Sequence, residues 1–177
     1  MKRLLKSLLL GLGVFSTLFV VIGVFLPRKW KVESTVEVAA DQIPFYFSSV
    51  VNFQNWKSWA IWGMDDPTYE VNFSENMSVP GSWMKWTSKK SGYGQLTLTQ
   101  IEPLALVRYD SQIESAQKNG SGEFRFETKP GDPLRGTISW IDEGELPPIV
   151  GGYFKSMVEA SLKDHFQKSL EKLTAQR

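Results

Sequence analysis

His165 is the only histidine in the chain, and there are no cysteines. A structural or catalytic zinc site ordinarily draws three or four ligands from several such residues, so the common zinc chemistries are excluded. The carboxylate pairs Asp65-Asp66 and Asp142-Glu143 lack the ligand spacing of a calcium loop and read as solvated turns. The sequence holds no Gly-x-Ser-x-Gly elbow, no P-loop and no strand-linked dinucleotide glycine pattern. Gly92-Tyr93-Gly94 and Gly120-Ser121-Gly122 read as hairpin punctuation, not phosphate loops. Two chemistries remain. Tyr109, His165 and a carboxylate are types that support general acid–base work. More simply, a few polar groups in an apolar surrounding orient a bound molecule. No residue qualifies as catalytic by motif, and neither a cofactor nor a metal is expected.

The elements that must position these groups follow from periodicity. His165 belongs to a final helix of about 22 residues, introduced by Gly151 or Gly152 after Pro147-Pro148. Phe154, Val158, Leu162, Phe166, Leu170 and Leu173 form its apolar stripe, while Lys163, Asp164, Lys168 and Glu171 face the other way. His165 falls within the apolar arc and Ser169 near its centre. Both are buried polar groups that need partners.

Strand periodicity covers the stretch before that helix. Trp30 to Val38 alternates, with Val32, Val36 and Val38 on one face. Tyr69, Val71 and Phe73 alternate next. Strands are then expected over 83–88, 95–101, 106–113, around Phe124 and Phe126, and over 134–142. Turns at Pro80-Gly81, Lys89 to Gly94, Pro103, Asn119-Gly120 and Pro130-Gly131-Asp132-Pro133 separate them. Tyr109, Phe124, Phe126 and Trp140 share the apolar phase of their strands. Between the first two strands, Asp41 is placed to cap a helix with Pro44 in its first turn. After it comes FQNWKSWAIWGMDD, in which Trp56, Trp59 and Trp62 fall three apart, on one side of a helical turn. Trp56 is expected to pack in the core and Trp62 to border an opening, with Trp59 compatible with either role.

Charge divides the chain. Six of its 20 Lys and Arg lie by residue 31, and all 19 acidic residues lie after it. The later segment thus carries 14 basic against 19 acidic residues, a net −5, and is a poor partner for nucleic acid. Leu8 to Leu26 is uncharged and apolar on all faces. At about 1.5 Å per residue it reaches roughly 28 Å, close to the thickness of a bilayer core. No small-x-small cleavage site ends the run, which favours a retained anchor over a cleaved leader. Basic residues flank it on both sides, but long domains cross membranes with little regard to charge. The expected arrangement is a cytoplasmic tail with the domain outside, periplasmic or otherwise extracytoplasmic. The expected boundaries are a tail and anchor over 1–27 and one domain over 28–177.

Taken together, the order of elements resembles the SRPBCC superfamily, also called START-like or helix-grip proteins. It is most similar to membrane-anchored bacterial members described as polyketide cyclase/dehydrase-like. The resemblance lies in Phe25-Leu26-Pro27-Arg28 before the valine-alternating strand, then Val51-Asn52-Phe53 with Asn55-Trp56 and Trp59. Asp66-Pro67, Pro80-Gly81 before Trp86, Gly94 and Glu102-Pro103 follow in register. It implies an α+β fold, a curved antiparallel sheet of about seven strands around a long C-terminal helix. It also implies a mostly apolar cavity between sheet and helix that takes a lipid or other hydrophobic small molecule. The expected lining is Trp59, Trp62, Tyr109, Phe124, Phe126, Trp140, Phe154, His165, Phe166 and Ser169. Two other functions fit the same resemblance: a cyclase or dehydratase using that cavity, and an envelope interaction module without a ligand. No protein partner is indicated.

Overall fold

The computed structural model describes residues 2–61, 66–90, 92–113 and 120–176. The apolar N-terminal run is one helix, α1 (Lys2–Phe25), whose Lys6–Phe25 portion is long and apolar enough to cross a membrane; a signal sequence passes the same test. From Lys6 onward, nearly all its large side chains face outward.

Strand β1 (Lys29–Ala39) follows. Val32, Ser34 and Val38 point inward and the charged positions outward, as its alternation requires. A 3₁₀ turn at Ala40–Gln42 leads into α2 (Ile43–Val51). Asp41 does not cap that helix. It lies inside the 3₁₀ turn, and the cap position is Gln42, without a side-chain hydrogen bond. Pro44 in the first turn, which needs no donor, starts the helix instead. Asn52, in extended backbone, stops α2 and accepts a bond from Gln54 N at 3.0 Å to begin a second 3₁₀ turn, Phe53–Asn55. The short α3 (Trp56–Trp59) completes the segment. Trp62 and Asp65 lie outside the described residues, as does Asn119 of the expected Asn119-Gly120 turn.

Six more strands follow in a meander: β2 (Glu70–Phe73), β3 (Trp83–Ser88), β4 (Gly92–Glu102), β5 (Leu106–Ile113), β6 (Gly120–Thr128) and β7 (Arg135–Glu145). All neighbours are antiparallel, and the sheet order is β1-β7-β6-β5-β4-β3-β2. The first strand therefore pairs with the last, from Lys29 opposite Glu145 to Ala39 opposite Arg135. The glycine pairs expected to punctuate hairpins belong to strands: Gly92 and Gly94 to β4, Gly120 and Gly122 to β6.

The final helix, α4 (Gly151–Thr174), lies on the same face of the sheet as α2 and α3. Phe166, Leu170 and Leu173 are fully buried there. The opposite face of the sheet is polar. Arg108 donates to Glu123 at 3.0 and 2.6 Å, Arg125 joins the same carboxylate, and Glu37 holds Lys129 and Arg135. One apolar face and one charged face is what an antiparallel sheet covered on a single side requires.

Candidate binding site between sheet and final helix

Aromatic rings fill the middle of the space under α4. Phe166 stacks on Trp140 at 4.1 Å, and Trp140 lies against Phe124 at 4.7 Å. Trp56 touches Trp59, Phe124, Tyr109 and Trp140, with ring centroids 4.9–6.0 Å apart. Its indole nitrogen donates to the Val50 carbonyl at 2.8 Å. Trp56 is core, as expected. Trp59 is also wholly buried and meets Phe124 and Trp140 edge-on. Phe126 is buried farther along β6, in edge contact with Phe47.

Within this apolar cluster runs a chain of polar groups. Trp140 Nε1 donates to Tyr109 Oη at 2.8 Å, and Tyr109 Oη donates to Asp142 Oδ2 at 2.8 Å. All three side chains are buried, and Asp142 Oδ1 has no hydrogen-bond partner among the described residues. Burial raises the Asp142 carboxyl from the usual 3.8 to about 7, against the lowering effect of the Tyr109 hydrogen bond. Burial, then the Asp142 charge, pushes Tyr109 well above the usual tyrosine value. Tyr109 therefore stays a donor at every ordinary pH, while Asp142 exchanges its proton near neutrality.

Asp142-Glu143 is consequently not a solvated turn. β7 runs on to Glu145, and Asp142 sits two residues beyond Trp140 on the same inward face. The period-two alternation carries this signal, but the local acidity of the pair hides it. Asp66 departs from expectation in the same way. It is buried and accepts bonds from Ser88, from the Thr68 hydroxyl and amide at 2.7 and 2.8 Å, and from Lys90 N at 3.3 Å. These bonds, that from Ser88 foremost, hold its carboxyl far below the usual range. Asp66 ties the approach to β2 to the β3–β4 turn and is structural.

Glycines shape the sheet beside Asp142. On three strand pairs an aromatic ring lies across the glycine opposite it: Trp86 over Gly94, Tyr109 over Gly122, Trp30 over Gly144. A Cβ on Gly122 or Gly94 would collide with the ring, and one on Gly144 would come within 2.8 Å of Trp30. The rings thus lie along the sheet instead of standing out from it. Beyond Asp142, Gly120 and Gly144 help form an open cleft of about 540 Å³, walled by Trp30, Lys155 and Glu159.

Other expected lining residues fall apart in space and role. Ser169 is buried, and its hydroxyl accepts the Ile61 amide at 3.2 Å, fastening the chain after α3 to α4. His165 is half-buried on α4, and burial lowers its imidazole to about 4, so it is neutral at physiological pH. The Tyr109 hydroxyl, for its part, is committed to Asp142 and Trp140. Phe154 does not face the sheet. It is 51 % exposed, whereas Phe166, Leu170 and Leu173 farther along α4 are fully buried and Leu162 packs against them partly buried.

This arrangement, a seven-stranded antiparallel sheet gripping a long C-terminal helix, is the helix-grip fold. Solved structures share it. A hypothetical protein, jhp0584 from Helicobacter pylori, aligns with a TM-score of 0.62 at 12 % identity, over 82 % of this chain and 86 % of its own. The Zhui aromatase/cyclase from a Streptomyces species gives 0.54 at 18 %, over 84 % and 93 %. Ara h 8.0201 gives 0.52 at 14 %, over 83 % and 96 %. No protein-family profile matches the sequence, and no curated protein matches it. At these identities the likeness defines the fold and leaves the chemistry to the site.

Proposed function

We propose that the chain is a membrane-anchored SRPBCC-type protein that holds a hydrophobic small molecule or lipid between the sheet and α4. The observation that carries this reading is the buried Asp142 carboxyl, with one oxygen unbonded among the described residues, inside an aromatic cluster. Leaving a buried acceptor unsatisfied costs about 1–3 kcal/mol, a cost that a ligand donor offsets. The ligand then has an apolar body and a hydroxyl or amine that reaches Asp142. Lys6–Phe25 is the retained anchor, residues from 28 onward form the binding domain, and the domain is exported.

Native mass spectrometry of the full chain released from detergent is expected to reveal a co-purifying apolar species, depleted in Asp142→Asn. A chain that carries no such species, and binds no apolar dye saturably, overturns the reading. Alkaline phosphatase fused after Arg177 is expected to be active; an inactive fusion paired with a fluorescent cytoplasmic one reverses the orientation.

One observation favours a second reading. Tyr109 and Asp142 form a hydrogen-bonded acid pair with one member titrating near neutrality, which suits proton transfer in a cyclisation or dehydration. In its favour, a neighbour of the same fold is named an aromatase/cyclase. Turnover of a polyketide-like substrate that disappears in Tyr109→Phe while binding persists would establish it.

A further inference from the structure

The first two turns of α4 carry an apolar stripe that the domain does not cover. Val150, Tyr153, Phe154 and Met157 recur at helical spacing and are 44, 38, 51 and 64 % exposed. A contiguous exposed stripe on an otherwise charged helix marks a contact surface. Its surroundings identify the contact.

The stripe begins where α4 packs against α1. The Tyr153 ring stacks on Phe19 at 4.4 Å and 5°, and its hydroxyl donates to the Phe19 carbonyl at 2.7 Å. Gly23 of α1 lies against the Ile149 backbone and the Tyr153 ring, and Gly152 of α4 lies against Leu26. A Cβ at either glycine would collide with its neighbour. The two helices thus meet through small residues, as helices in lipid commonly do.

The depth of this contact is fixed by α1. Phe19 precedes the end of the apolar span at Phe25 by six residues, about 9 Å along a helix axis. With α1 across a bilayer, the Tyr153 ring reaches below the outer end of the span, and the Ile149 backbone lies level with Gly23. That matches the depth, roughly 5–10 Å past the headgroup boundary, to which the apolar face of an interfacial helix buries. Arg28, Lys29 and Lys31 lie just beyond, where phospholipid headgroups would be. Phe154 and Met157 adjoin Tyr153 on the same helix, and Val150 stands at its N-cap.

We infer that the start of α4 is a second membrane contact: Val150, Tyr153, Phe154 and Met157 sit in the interfacial layer of the bilayer that α1 spans. The contact holds the cleft at Trp30, Gly144 and Lys155 beside the lipid, because Lys155 belongs to the same two turns of α4 and Trp30 follows the anchor by a few residues. The cleft, lined largely by charged side chains such as Lys31, Glu143, Lys155 and Glu159, then opens toward the headgroup layer. The inference rests on the reading of α1 as a retained span.

The absence of cysteine makes the test direct. Three single-cysteine variants of the full chain, Met157→Cys, Leu12→Cys and Leu134→Cys, are labelled with a polarity-sensitive nitrobenzoxadiazole dye. Each is reconstituted into phosphatidylcholine vesicles with or without spin-labelled lipid. Leu134 is the aqueous reference: it is 79 % exposed beside Arg135, at the end of the sheet opposite Lys29. Leu12, in the middle of α1, reports the span. All three positions are exposed, so the substitutions leave the core untouched. The expected result is blue-shifted emission at 157, with quenching by shallow spin labels about twofold or more above that at 134. Leu12 is quenched by deep labels. If 157 behaves like 134 while 12 is quenched, the second contact is wrong and the anchor stands. If 12 is not quenched, the anchor reading fails and takes this inference with it.

Discussion

The two halves of α4 share one stripe in sequence and behave as different objects. In the C-terminal half, Phe166, Ser169, Leu170 and Leu173 are buried against Trp140 and the chain following α3. In the N-terminal half, Phe154 and Met157 face outward, Tyr153 meets α1, and Lys155 and Glu159 wall an open cleft. Between them lies Asp142, inside the domain but not wholly satisfied. The contrast teaches that this grip is closed by packing at one end of the helix and left open at the other. The boundary between the two carries the ionisable group.

The largest effects are expected at the closed end. Phe166→Ala removes a ring stacked on Trp140, and should cost about 3–5 kcal/mol in a urea melt of the full chain. A cost under about 1 kcal/mol would mean that the two halves are equally loose. Next comes the boundary. Because Asp142 has its carboxyl raised in the folded state, its contribution to stability is fully present below the unfolded value of 3.8 and is lost as pH rises through about 7. A shift of about three units corresponds to roughly 4 kcal/mol across that window. Asp142→Asn is isosteric and uncharged, so its stability relative to the native chain should improve steadily from pH 4 to pH 8. His165 acts in the opposite sense, since its value is lowered to about 4: its contribution is present above the unfolded 6.5 and lost as pH falls. Comparing the variant with the native chain at each pH removes that background. A difference that does not change with pH would place Asp142 in contact with water.

How much of this was readable beforehand depends on the range of the interactions. β3 and β5 begin and end where alternation and the Pro80-Gly81 and Pro103 breaks put them, because both signals are local. The terminal helix and the burial of Tyr109, Phe124 and Trp140 follow from the same short periods. Asp142 and Asp66 look like solvated turns in the sequence because decisive partners are distant: Tyr109 for one, Ser88 and Lys90, beside the local Thr68, for the other. Acidity is a local property, and its neutralisation by burial or hydrogen bonding is not. Phe154 fits the helical wheel as well as Phe166 does. What differs is tertiary: the start of α4 meets Leu26 through Gly152 and Phe19 through Tyr153, contacts that no wheel contains.

Smaller effects refine the comparison. Ser169→Ala takes the acceptor from the half-buried Ile61 amide and should cost about 0.5–1.5 kcal/mol, mostly by loosening the chain after α3. Amide exchange at Ile61 is the readout; unchanged protection would make the hydroxyl dispensable. Smallest of all, Phe154→Ser at the open end should move the urea midpoint by no more than about 0.5 kcal/mol in free energy. A loss approaching that of Phe166→Ala would show that the open half is packed after all, and the contrast would collapse.

The pairing of the first strand with the last has a consequence for how the chain acquires its structure. β1 leaves the ribosome early, yet Ala39 meets only Arg135 and Lys29 only Glu145. Until β7 has been made, β1 is a valine-rich strand without its neighbour, tethered to an apolar helix. Closing so long a loop is slow, and strands waiting this way are where chains associate wrongly. Glu33 and Glu37, spaced among the valines of β1, put like charges on neighbouring copies of that strand and discourage it from pairing with itself. The acidic residues on β1's outward face therefore act earlier in the life of the molecule than the ion pairs Glu37 finally makes with Lys129 and Arg135.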